Sequence, residues 1–396
     1  MRYHLKSEIK RSMDALYFSS EDKNAMVHTL LAQSSQEKKL KRRGRKLTII
    51  ALAAALSVAM LTGAAVFTRW STTAQNQYKP SQQIKEQAEK SGLSVILEET
   101  KGAEKPKSNP NEVLSVTDQG ITVTVVQTIV DQYSAELTFR FEGCDIPEDR
   151  TPEVWPIVTI DGDEDFFVSW TGGFFDGTTR NEAGEWVYVS NGQPVKHRQD
   201  EFHSVIFDYV AEDGSMEYTH YISFNETDGR YLGKEIQVKF PYIDIQSAQK
   251  FGPNERVAEG DWTLRWTLTG TSESVKITPN AEIGDSGVIL LDAELGQRTL
   301  FTRYQLQEYW EGWDELVELP QAVKGVRMKD GSEYRCISST SGFEDEESMI
   351  YFMESTMFDA ILDLSQAESL MFHKGWEKDA NGESIQTFYY IPVSAN

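Results

Sequence analysis

Residues 47–67, LTIIALAAALSVAMLTGAAVF, form a run of 21 without a charge, and its only polar side chains are Thr48, Ser57 and Thr62. At ~1.5 Å per residue a helix of this length spans about 30 Å, the thickness of a bilayer's hydrocarbon core. The flanks are unequal. Lys38, Lys39, Lys41, Arg42, Arg43, Arg45 and Lys46 crowd the N-terminal side, whereas Arg69 and Trp70 follow on the other. Basic residues stay on the cytoplasmic side and tryptophan favours the headgroup level, so the N-terminus is expected inside and the long C-terminal part outside. A cleaved signal peptide has a short basic start and an apolar stretch of roughly 7–15 residues. Here 46 residues precede the run, which predicts a retained membrane helix over 47–68 and makes the lipid bilayer the first expected partner. Ala51, Ala55, Ala59 and Gly63 fall every fourth residue on one face of that helix. Small residues at this spacing let two membrane helices approach, which would give a homodimer, although an alanine-rich composition produces the same pattern.

Charge divides at the same point. The chain has 39 Lys and Arg against 62 Asp and Glu, a net of −23. Residues 1–46 hold 12 basic and 5 acidic side chains, which leaves a net of −30 for the remainder. An acidic body repels phosphates, so direct nucleic-acid binding is not expected. The run KKLKRRGRK, set against the apolar stretch, reads as a topology signal and a contact for anionic lipid. Two cysteines exclude a disulfide-dense scaffold and a four-thiolate zinc site. Cys144 and Cys336 both fall outside the expected membrane, where the compartment permits a disulfide between them; two separate thiols are the alternative.

Within the tail, Leu5, Ile9, Met13 and Leu16 share one helical face, and Met26, Leu30 and Leu31, with Val27, form a second apolar stripe after Ser19-Ser20-Glu21-Asp22. Two short helices in 46 residues cannot bury a core unaided. Their apolar faces are expected either to dock a cytoplasmic partner or to rest on the inner membrane surface.

Beyond the apolar run, residues 69–112 are polar and proline-bearing and read as an extracellular stalk, with one short helix over 81–91 closed by Gly92. The pattern then turns to period two. Segments 113–117, 121–130, 135–141, 154–160, 202–210, 218–224 and 235–240 are rich in β-branched residues and punctuated by turns. A second series follows over 262–269, 275–277, 287–295, 323–328, 334–338, 348–352 and 387–391. The fold class expected is mainly β: two tandem β-sandwich domains, 113–250 and 251–396, carried outside on one transmembrane helix with a short α-helical cytoplasmic tail.

Motifs for chemistry are sparse. Gly284-Asp285-Ser286-Gly287 has the letters of a serine-protease nucleophile loop, but no histidine of the chain stands in a matching context, and a β-turn is expected. Asp161-Gly162-Asp163-Glu164-Asp165 clusters oxygens that could ligate calcium, yet Phe166 stands where a calcium loop needs glycine, so a turn is again expected. Tyr309, Trp310 and Trp313, and separately Trp170, Phe174 and Phe175, could stack on sugar or pack in a core. No catalytic residue, metal site or cofactor is expected, and no enzyme.

The order of parts then carries a resemblance. A two-helix start (KSEIKRSMDAL, then SEDKNAMVHTLLAQ) precedes a basic run and one membrane helix. The segment SQQIKEQAEKSGLSVILEETKG leads to VLSVTDQGITVTVVQTIVDQYSAELTFRFEG. This layout resembles a Gram-positive membrane-protein family defined by a domain of unknown function numbered forty-one seventy-nine, often described as anti-sigma-factor-like. GDWTLRWTLTGTSE, DLSQAESLMF and IPV look like the immunoglobulin-like domain that follows in such proteins. The resemblance implies an envelope sensor whose tail holds a sigma factor through Leu5, Ile9, Met13, Leu16, Met26, Leu30 and Leu31. The rival expectation is a structural or adhesive surface protein whose β-domains bind wall polymer, another protein or a further extracellular ligand.

Overall fold

The computed structural model describes residues 70–97, 112–147, 150–180, 186–190, 193–195, 198–199, 205–206, 209–211, 213–247, 252–306, 323–343, 351–378 and 382–393. The tail residues Leu5 to Leu31 singled out above, and Ala51, Ala55, Ala59 and Gly63, lie outside these residues, as do Tyr309, Trp310 and Trp313. Among the described residues no helix is long and apolar enough to cross a membrane.

Two short helices come first, α1 (Thr72–Tyr78) and α2 (Gln82–Ser91). The described residues after them are mainly strand. The first series is β1 (Ser94–Ile96), β2 (Ser115–Asp118), β3 (Ile121–Val130), β4 (Ser134–Glu142), β5 (Pro152–Glu153), β6 (Ile157–Ile160), β7 (Phe167–Phe174), β8 (Thr178–Arg180), β9 (Trp186–Ser190), β10 (Gln193–Val195), β11 (Arg198–Gln199), β12 (Val205–Ile206), β13 (Met216–Phe224), β14 (Glu235–Ile245) and β15 (Glu255–Thr267). One sheet runs β1-β3-β4-β13-β7 with β2 also on β3, and a second runs β15-β14-β5 with β6 also on β14. They enclose one core. Phe139 and Phe141 of the first sheet meet Phe240 of the second edge to face at 5.0 and 5.2 Å, and Trp262 and Trp266 are fully buried behind them.

Local chemistry explains the turns. Gln119 (φ 50°) and Gly120 (φ 81°) close the β2–β3 hairpin, the paired positive angles that match strand twist. Asp161 (φ 51°) and Gly162 (φ 83°) do the same after β6, with Ile160 and Asp163 exchanging backbone hydrogen bonds. The chain then leaves for the opposite sheet as β7, so this acidic stretch is a passage between sheets. Its Asp161 carboxylate lies 2.9 Å from Lys234 Nζ, and among the described residues no group of three candidate metal ligands gathers.

The second series is β16 (Ser274–Ile277), β17 (Ala281–Glu282), β18 (Val288–Gly296), β19 (Thr299–Leu306), β20 (Val323–Met328), β21 (Glu333–Phe343), β22 (Tyr351–Phe358), β23 (Ala367–Lys378) and β24 (Ser384–Pro392). These form one continuous sheet, β16-β18-β19-β22-β21-β20-β23-β24, with β17 also on β18. The sheet bends back on itself, because Leu290 and Tyr304 near one end share a core with Val326, Leu370 and Phe372 near the other. Gly284-Asp285-Ser286-Gly287 is the turn from β17 to β18, and Asp285 accepts a hydrogen bond from the Tyr389 hydroxyl (2.8 Å).

Two expectations need correction. The stretch expected as a stalk is packed from Trp70 to Ile96: Trp70, Ala74, Tyr78, Ala88 and Leu93 form a third core with Ile129 of β3 and Ile361 beyond β22. The passage between the two large cores lies beyond β15, not near residue 250. β15 pairs along β14 and gives Trp262, Leu264 and Trp266 to the first core, while the second begins at Ile277. Of the two alternatives left open for Cys144 and Cys336, the structure has two free thiols, each half-buried against a different core, and burial pushes the Cys144 thiol up to about 11.

Candidate functional site

Among the described residues, two clusters depart from the rule of apolar inside and polar outside and are built up below. The first is the junction of α1, α2 and both large cores. α1 starts at Ser71, whose hydroxyl accepts from Ala74 N (3.2 Å). Its other free amides are met from β13: the Glu217 carboxylate accepts from Thr72 N (3.0 Å), Thr73 N (2.9 Å) and Thr73 Oγ1 (3.0 Å). Ser71 N donates to Gln127 Oε1 of β3 (2.8 Å), and Trp70 Nε1 donates to Glu89 Oε1 of α2 (3.0 Å).

α1 ends in Tyr78, whose hydroxyl donates to Glu136 Oε2 of β4. Arg298 enters the same place from the β18–β19 turn. Its Nε donates to the Tyr78 hydroxyl (3.0 Å), and its Nη1 donates to Ile129 O (3.2 Å) and Ser134 Oγ (3.3 Å). Its Nη2 lies 3.4 Å from Glu136 Oε2, and both side chains are 0% exposed. Further bonds tie the two series together: Gln132 Nε2 to Glu294 Oε1 (2.9 Å), Ser134 Oγ with Thr299 Oγ1 (3.0 Å), and Ser91 Oγ to Gln297 Oε1 (2.9 Å). Tyr133 stacks on Phe301 at 5.7 Å.

Burial pushes the Glu136 carboxyl above its ordinary range, against the pull of Arg298. Burial likewise raises the Tyr78 hydroxyl well above its usual value. For Arg298 burial works against the charge, but the oxygens of Tyr78, Glu136 and Asp131 outweigh it and keep the guanidinium protonated. This is a positioning network: segments 70–97, 129–136 and 297–299 meet at one guanidinium. Beside it lies a cleft of about 440 Å³, lined by Thr73 and Gln77 of α1, Thr219 and Tyr221 of β13, and Ile337, Met357 and Asp359 of the second series. The Tyr221 hydroxyl donates to Gln77 Oε1 across its wall (2.6 Å).

The second place is a rim at the outer edge of the first two sheets. Trp155, just after β5, and Trp170 of β7 remain 48% and 39% exposed. Their rings meet at 90° with centroids 5.3 Å apart. Behind them His220 is buried and near the Tyr218 hydroxyl (3.1 Å to Nδ1), and burial lowers its pKa to about 4. The aromatic cluster expected from sequence therefore divides: Trp170 is outside, Phe174 packs into the core against Phe141 and Tyr218, and Phe175 lines the junction cleft.

Arg298, Glu136, Tyr78 and Trp155 were not expected as functional residues. Gln297-Arg298 between two apolar runs reads as an exposed hairpin turn, and Glu136 reads as the solvent face of an alternating strand. The signal available was β3, whose 125–130 stretch is apolar or β-branched on both faces apart from Gln127 and so asks for cover on both sides.

With the geometry in view, known proteins add little. No protein-family model matches the chain, and no curated protein matches it. Among solved structures it is similar to "The crystal structure of the conserved domain protein from Bacillus anthracis", at 13% identity over 72% of this chain and 91% of that one, with a TM-score of 0.41. A likeness of that size carries no argument about fold or function.

Proposed function

We propose that the chain is a single-pass envelope sensor or regulator of the anti-sigma-factor-like kind suggested by its resemblance to the forty-one seventy-nine family. In this reading residues 1–46 lie in the cytoplasm, 47–68 span the bilayer, and the acidic β-rich body, built of tandem immunoglobulin-like sandwiches, lies outside. The tail holds a sigma factor through the faces of Leu5, Ile9, Met13, Leu16, Met26, Leu30 and Leu31. The face of Ala51, Ala55, Ala59 and Gly63 pairs two copies.

The observation that carries the reading is the packing of Trp70, Ala74, Tyr78, Ala88 and Leu93 into a core directly after the apolar run. A free stalk would isolate the outer body from the membrane helix. A juxtamembrane segment capped by Glu217 and pinned through Tyr78 to Arg298 instead shares the fate of both cores. Cleavage within 69–80, a route to release of the tail complex, then requires α1 to detach first, because Ser71, Ala74 and Tyr78 are buried. Detachment is the sensed event.

The test is purification of the full chain from intact membranes, with and without Leu30→Glu and Leu31→Glu. A sigma factor recovered only with the unsubstituted chain supports the reading. Recovery of no cytoplasmic protein, together with no transcript change on deletion, overturns it. The alternative, an adhesive surface protein, draws support from the exposed Trp155–Trp170 pair.

A further inference from the structure

We propose that the Trp155–Trp170 rim is a binding site for an uncharged saccharide chain. The proposal rests on the reading of an outward-facing body and names what that body meets.

Indole rings left in water forgo burial that a fold would otherwise gain. These two are also held in place. Trp155 Nε1 donates to Glu153 Oε1 (3.0 Å), while Asn254 Nδ2 donates to the other oxygen of the same carboxylate. Trp170 stands edge-on to Trp155 and lies 5.2 Å from the buried His220 ring. Fixed aromatic surfaces bind with little ordering cost.

Between and below them lies a hollow of about 500 Å³, within the range of small-molecule sites. Its floor is the bare backbone of Gly172-Gly173. Gly172 is required there, because a Cβ would stand 2.2 Å from the Tyr218 hydroxyl oxygen. The missing side chains leave Tyr218 as part of the lining, together with Thr151, Glu153, Tyr209 and Gln246. The hollow thus offers two partly exposed indoles, hydroxyl and amide groups that both donate and accept, and the Glu153 carboxylate, which accepts.

A pyranose has the complementary surface. Its axial C–H face is apolar and slightly positive, suited to the negative face of an indole, and its hydroxyls both donate and accept. Charge selects within the sugars. Among the described residues no Lys or Arg lines this hollow or the adjoining one on the other side of Trp170, whereas Glu153, Glu164 and Asp165 do. With a net of −23 on the chain, an anionic polymer is repelled.

The experiment titrates chitotetraose and cellotetraose into the full chain, held in a detergent without a sugar headgroup, and follows tryptophan fluorescence and heat. Saturable binding of at least one, weakened at least about tenfold by Trp155→Ala and by Trp170→Ala with melting temperature unchanged, supports the proposal. Absence of saturable binding, or variants that bind as the parent does, overturns it. So does preferential binding of polyglycerol phosphate, or a dimer of the chain that Trp170→Ala dissociates, since either gives the rim a different occupant. The readout is direct binding, so its failure leaves the cytoplasmic partner untouched, and loss of that partner leaves saccharide affinity unchanged.

Discussion

The junction and the rim invert the usual distribution of side chains in opposite directions. At the junction a guanidinium and a carboxylate are fully withdrawn from water; at the rim two indoles are kept in it. The first arrangement costs desolvation that only good geometry repays, and its result is a fixed meeting point for three distant segments. The second forgoes burial, and its result is a surface ready for contact. The contrast teaches that one body can separate the residues that offer a contact surface from those that hold its parts in register. It also makes the two regions respond differently to substitution and to pH.

The largest effect is expected from Arg298→Met. Removing one partner of a buried pair leaves Glu136 uncompensated, a loss of roughly 3–5 kcal/mol. Thermal denaturation of the full chain should show it, and limited proteolysis should open sites within 70–80. The double variant Arg298→Met with Glu136→Leu should recover much of the loss, because both charges then leave the interior together. A single variant that melts and resists protease like the parent would remove the junction's claim to join the cores.

Titration separates the regions next. His220 is held neutral with a pKa of about 4, against an ordinary value near 6.5. Its folded pKa is depressed, so the unfolded chain takes up the proton first as pH falls. The stability it contributes is full above about pH 6.5 and is lost as pH falls through about 4, roughly 3 kcal/mol at the limit. Glu136 acts in the reverse sense. Burial raises its folded pKa, so its contribution is full below its ordinary range and is lost as pH rises through the raised value. Melting from pH 7 to 4 for the parent and His220→Gln should give a steeper acid loss in the parent. Equal slopes would mean that His220 titrates as in water.

What the sequence made legible follows the range of the forces involved. Strand β3 occupies the expected 121–130 and β20 the expected 323–328, because period-two β-branched runs declare themselves locally. The helix over 82–91 was readable from its ends: Ser81 accepts from Ile84 N and Gly92 takes φ 79°. Strand β7, FVSWTGGF, was missed because its two glycines weaken the pattern. The long-range matters were not legible. That α1 covers the second face of β3 and β4, and so turns Glu136 from a surface residue into a buried one, depends on packing between residues 58 apart. The joining of Trp155 and Trp170 likewise arises where two sheets come together, which no spacing records.

The rim itself supplies the finest comparison, between two positions two residues apart on β7. At Gly172 an added methyl meets the Tyr218 hydroxyl at 2.2 Å, and Tyr218 is a core residue packed against Phe139, Phe141 and Phe174. Gly172→Ala must therefore displace the core or the strand, an overpacking cost of about 1–3 kcal/mol. At Trp170 the indole lies against Trp155 and over the His220 ring, with 39% of the residue in solvent. Trp170→Ala loses ring contacts but leaves no enclosed cavity, so its cost should stay at or below about 1 kcal/mol. Deleting a whole aromatic ring is thus expected to matter less to folding than adding one carbon nearby. Melting curves of the two variants decide it: if Trp170→Ala is the more damaging, the indole is a structural plug, and the rim loses its distinction from the buried junction.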